Sequence, residues 1–108
     1  LTHMEIDKLV ASKVLGIEIK YGNIVRDGKR SGIPSYSRSI EQAWKVVESL
    51  RNYRQFTLSD CIDENNKLVY YVNFQYNDTH HVVNYEAYSN SVAMAICLAA
   101  LKSVGVEI

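Results

Sequence analysis

Residues 91–104 restrict the fold more than any other segment. Ser-Val-Ala-Met-Ala-Ile-Cys-Leu-Ala-Ala-Leu-Lys-Ser-Val holds one charge, Lys102, and Gly105 follows it. Ser91 is placed to open a helix here and Gly105 to end it. On that helix Val92, Ala95, Ile96, Ala99 and Val104 face one way, and Met94, Cys97, Leu98 and Leu101 face another. A helix apolar nearly all round has to be covered on two sides, either between a sheet and other helices or at an oligomer interface. The run is far short of the ~20 residues of a membrane span.

Two further helices carry start signals. Thr2 and Glu5 have capping-box spacing, and Ile6, Leu9, Val10, Lys13 and Val14 then share one face up to Gly16, predicting a helix over 3–15. Met4 is a possible start, but Thr2 completes the box, so Leu1 is expected to stand where an initiator would. Ser39 and Gln42 form a second capping box. Ile40, Ala43, Trp44, Val47 and Leu50 or Arg51 continue that face over 39–52, and Glu41 and Lys45 are spaced as an i,i+4 ion pair.

Between the second and third helices the period changes to two. Phe56 and Leu58 alternate with polar residues, and 63–66 is a polar turn. Residues 67–76 are rich in β-branched and aromatic side chains, Asn77-Asp78 is a second turn, and His80 to Tyr85 is a further strand. Short polar turns make these an antiparallel meander. Residues 17–38 are least regular: Ile17, Ile19 and Tyr21 alternate as a short strand, and Asn23 and Asp27-Gly28 are turn signals. With no βαβ repeat, the expected fold is α+β: one domain over 1–108, an antiparallel sheet of three to four strands with three helices packed on it.

Three segments resemble one known family. Glu5 to Gly16 is similar to the acidic opening of phage ABA sandwich proteins. Ile33-Pro34-Ser35-Tyr36-Ser37-Arg38-Ser39-Ile40, with Ala43-Trp44, resembles their entry into a Trp-bearing helix. Ala95 to Val106 resembles their C-terminal helix. The segments recur in the family's order and span nearly the whole chain. Residues 17–32 lack the Trp-rich stretch of many members, and Ala93 stands where many carry proline. The resemblance implies a phage or prophage origin and an α/β/α sandwich; it implies no activity.

Twelve basic and twelve acidic residues cancel. That balance disfavours nucleic acid as a partner and permits self-association. No signal peptide is expected, so a cytoplasmic location is. Cys61 and Cys97 belong to no CxxC pair, and Cys97 reads as a buried thiol. Asp60 and Asp63 flank Cys61 and disfavour its thiolate. His80 and His81 on a strand point to opposite faces and cannot jointly chelate a metal. Asp60, Asp63 and Glu64 match no EF-hand loop. No catalytic set, metal or cofactor is implied. The best binding candidates are Arg26, Lys29, Arg30 and Arg38, with Gly28 and Gly32 among them to let backbone amides approach a phosphate, and with Tyr21 and Tyr36 to stack on a base. The remaining tyrosines suit a half-buried sheet or a partner surface.

The leading expectation is a non-enzymatic phage accessory protein that acts by binding, as a homo-oligomer, on a phosphate-bearing small molecule or a host protein. A narrower form is an inhibitor of host defence that sequesters a nucleotide-like signal. The alternatives are a small hydrolase or nuclease using His80 or His81, and a virion component.

Overall fold

A computed structural model describes residues Leu1–Ile108. It holds helices α1 (His3–Leu9), α2 (Ile40–Leu50) and α3 (Val92–Ser103). Strands β1 (Glu18–Lys20), β2 (Asn23–Arg26) and β3 (Lys29–Ser31) form one antiparallel sheet. Strands β4 (Gln55–Ile62), β5 (Leu68–Asn77) and β6 (Val82–Ser89) form a second. The fold is α+β, as expected. The difference lies in residues 17–32, expected as one short strand and turns, which make a complete three-stranded meander. Tyr21-Gly22 and Asp27-Gly28 close its two hairpins, all four with φ between 52° and 76°. Two-residue loops with positive φ at both positions match the twist of the strands they join.

Helix α3 is the element around which the others are arranged. Eight of its residues are buried, Ala93, Ala95, Ile96, Cys97, Ala99, Ala100, Leu101 and Ser103. It packs on β5 and β6 on one side, on α2 along another, and on the N-terminal segment along a third; β1 lies against that segment in turn. The four alanines let neighbouring backbones come close, while Ile96 and Leu101 fill the gaps. From the sheet, Val72, Phe74 and Ala87 complete the core.

The N-terminal helix departs from its expected path. After Leu9 it widens into a π-helical turn, Val10–Val14, with Leu15 N–H donating to Val10 C=O at 3.0 Å. The capping box of Thr2 and Glu5 is present in both directions. That of Ser39 is half formed: its hydroxyl accepts from Gln42 N–H at 3.3 Å, but its own N–H already donates to Ser35 C=O. Gln42 Oε1 is left without a donor. Along α2 the buried face is Ala43, Val46, Val47 and Leu50; Trp44 stays 40% exposed and meets Phe56 edge-on at 5.7 Å.

Two long-range polar contacts lock the layers. Asp7, 4% exposed, accepts from Ser37 N–H at 2.8 Å and so ties α1 to the loop before α2. Arg54 donates to the C=O of Ser103, at the C-terminus of α3, at 3.1 Å, where a cation also complements the helix dipole. Its guanidinium carbon lies 5.1 Å from the Tyr85 ring centroid and 5.7 Å from those of Tyr53 and Tyr76. Its Nε–H finds no acceptor, so the ring faces offset its burial.

The β5–β6 turn corrects the placement of the histidines. His80 and His81 lie before β6, not within it, and their backbone N–H groups donate to Asp78 Oδ1 at 2.8 and 2.6 Å. Those two bonds hold the Asp78 carboxyl below its usual pKa. Its contribution to stability is therefore complete above the ordinary carboxylate pKa and is lost as pH falls through the lowered value.

Arg54→Ala is expected to lower unfolding free energy by about 2–4 kcal/mol in urea titration at neutral pH. Asp78→Ala should reduce the loss of melting temperature between neutral pH and pH about 3 relative to the native chain, since the titrating group is gone.

Candidate functional site

The cations singled out in the sequence do not converge. Across the tight turn at Asp27-Gly28, Arg26 pairs with Lys29 and Val25 with Arg30. Side chains alternate along a strand, so Arg26 shares its face with buried Ile24 while Arg30 takes the opposite, open face. There Arg30 lies over the Tyr21 ring at 5.1 Å. Tyr21 is 79% exposed, presenting an apolar face with a cation on it. Arg38 lies elsewhere, in the lining of a separate cleft.

Tyr36 is corrected by its environment. It is 2% exposed and part of the core, so its ring offers no stacking platform to a ligand. Burial pushes its phenol up, and the Arg26 guanidinium opposes that shift.

Two clefts flank Gly32. The larger, about 590 Å³, runs between α1 and the small sheet and is lined by Glu5, Asp7, Lys8, Ser35 and Arg38 among others. Two carboxylates and two cations there leave it electrically balanced. The smaller, about 310 Å³, is lined by Leu15, Ile17, Ile24, Arg26, Ser31, Gly32, Pro34, Tyr36 and Lys45. It holds two cations and no acid. Its volume is at the lower end of the small-ligand range, and its lining mixes apolar side chains with polar ones.

Lys45 is the residue that sequence reasoning assigned to another role. As the i+4 partner of Glu41 it was expected to be neutralised on the outer face of α2. No carboxylate lies within ion-pairing distance of Lys45; the one such acid–base contact in the structure is between the His81 imidazole and Asp78, at 3.5 Å. Lys45 instead borders the smaller cleft with Arg26. Helical spacing made Glu41 its partner; that Arg26 lines the same cleft is set by tertiary structure.

The groups that could do covalent chemistry are dispersed or enclosed. His3 Nδ1 lies 2.8 Å from Ser37 Oγ, and Asp7 is nearby, but Ser37 is 0% exposed and Asp7 binds its backbone N–H, not the imidazole. No substrate carbonyl reaches that hydroxyl. His80 and His81 border neither cleft. Asp63 uses its carboxylate on the Asn65 and Lys67 N–H groups at 2.8 and 2.9 Å, which builds the β4–β5 turn. No three His, Cys, Asp or Glu side chains converge as a metal site.

A model of the phage ABA sandwich domain matches residues 8–101. The crystal structure of a phage protein from Bacillus cereus is similar over 100% of this chain and 92% of that one, with 37% identity and a TM-score of 0.80. No curated protein matches the chain.

The two thiols are expected to behave differently. Cys97 is fully enclosed, and burial raises its pKa to about 12; Cys61 is half-buried at the edge of the large sheet. A disulfide reagent at pH about 8 should titrate one thiol per native chain, and both in denaturant.

Proposed function

The chain belongs to the phage ABA sandwich domain family, and from that premise we propose that it is a phage accessory protein that works by binding, its ligand a small phosphate-bearing molecule held in the smaller cleft. The observation that carries this is the presence of both Arg26 and Lys45 in a cleft with no acidic side chain in its lining. The guanidinium fork suits two phosphate oxygens, and the ammonium adds a point charge. The backbone at Gly32 lets an anion approach the main chain closely.

A protein that holds such a molecule without transforming it acts as a sink, and a phage gains from a sink when the molecule is a nucleotide-like signal of host defence. No helix is long and apolar enough to cross a membrane.

Isothermal titration against inorganic phosphate and a panel of mono- and cyclic nucleotides tests this. One member of the panel is expected to bind, with Arg26→Ala and Lys45→Ala each weakening it by about tenfold or more and high salt weakening it further. Absence of heat with the whole panel at high protein concentration sinks the proposal. So does binding that is indifferent to both substitutions.

A further inference from the structure

Tyr36 is the one side chain of the smaller cleft that is both buried and polar at its tip. It is 2% exposed and lines that cleft with Arg26 and Lys45. A buried tyrosine hydroxyl usually finds a partner, and one that does not calls for a reason. The phenol of Tyr36 feels its burial and, through space, Arg26, Asp7 and Cys97, but no hydrogen bond. Two other unpartnered atoms, Gln42 Oε1 and Arg54 Nε, are sealed from solvent; the Tyr36 hydroxyl is not among the sealed ones. It is therefore unpartnered and reachable, and the surface that reaches it is the cleft that Tyr36 lines.

The segment carrying Tyr36 holds it in place. Tyr36 N–H donates to Pro34 C=O at 3.0 Å, Ser37 N–H to the Asp7 carboxylate at 2.8 Å, and Ser39 N–H to Ser35 C=O at 3.0 Å. The ring itself is packed in the core. A donor fixed before its ligand arrives loses little freedom on binding. Burial holds the phenol above its ordinary pKa, so it keeps its proton throughout the neutral range.

Charge and oxygen count decide what this donor meets. The cleft offers two cations and no carboxylate; Asp7 lines the other cleft and uses Oδ1 on the Ser37 amide. A phosphate diester brings one negative charge, and a monoester close to two at neutral pH. The guanidinium fork of Arg26 takes up two phosphate oxygens, which is all that a diester leaves unesterified. A monoester has a third. We propose that the cleft recognises the terminal phosphate monoester of its ligand, with the Tyr36 hydroxyl donating to the oxygen that Arg26 leaves free and Lys45 matching the second charge. This inference rests on the cleft being a phosphate site, and it narrows the ligand to molecules that end in an unesterified phosphate.

Isothermal titration at high protein concentration, on the native chain, Tyr36→Phe and Lys45→Gln, tests this. The probes are methyl phosphate, dimethyl phosphate and the mono- and cyclic nucleotides. Whichever monoester binds is expected to do so at least about tenfold more tightly than the matching diester. Tyr36→Phe removes the hydroxyl and keeps the ring. It is expected to weaken the monoester by about fivefold to tenfold and to leave the melting temperature no lower, because the hydroxyl makes no bond in the free chain. Lys45→Gln is expected to narrow the monoester-to-diester ratio. Diesters that bind as tightly as monoesters overturn the inference and leave the cleft a phosphate site. So does a Tyr36→Phe chain with native affinity. A melting temperature several degrees lower in Tyr36→Phe assigns the hydroxyl to the fold and overturns it too. No binding by any probe removes the reading of the cleft, and this inference with it.

Discussion

The rest of the fold answers to the burial of α3. A twelve-residue helix with eight enclosed side chains has almost no side that can face water, so the chain must supply cover from several directions. The large sheet is one cover, α2 a second, the N-terminal helix and its π turn a third. Each cover is amphipathic for the same reason: it owes one face to α3 and the other to solvent. The π turn is one such accommodation, since the extra residue in that turn changes the direction of the chain before Gly16 while Val10, Ala11 and Val14 stay inside.

Polar contacts then fix how the covers sit. Apolar burial alone tolerates sliding, because it depends on area and little on direction. Asp7 and Arg54 supply direction. Each is a charged group removed largely from water, and each is costly unless it meets its partner: the Ser37 amide for one, the Ser103 carbonyl and three tyrosine rings for the other. Arg54 also places a positive charge where the carbonyls of α3 end, so a single side chain joins the end of α2, the inner face of the sheet and the end of α3.

What could be read from the sequence was local. The third helix, the capping box at Thr2 and strands β4 and β5 are written in neighbouring residues and appear where periodicity and turn residues put them, while β6, expected over 80–85, runs Val82–Ser89. The small sheet was missed because its strands are three or four residues long and one of its turns begins with Tyr21, a residue that seldom adopts positive φ. The histidines were placed on a strand because the Asp78 carboxylate that captures their amides is a tertiary detail of the turn. In the candidate cleft, Arg26 was named from the sequence and Lys45 was not. Spacing along α2 offered Glu41 as an immediate partner, and nothing local says that Arg26, some twenty residues earlier, will line the same cleft. Tyr36 failed as a stacking residue for a related reason, since its burial is decided by α3, some sixty residues away.

The order of these elements along the chain has a consequence for synthesis. The helix at the centre of the core leaves the ribosome after every element that covers it. At about 5–20 residues per second, β4–β6 and both earlier helices wait several seconds with their apolar faces uncovered. During that interval the two earlier helices, the small meander closed by two tight turns, and the hairpins of the large sheet have only local contacts to form. The nascent chain therefore spends its synthesis as a set of half-made surfaces, and becomes a protein in a single late event when α3 arrives between them.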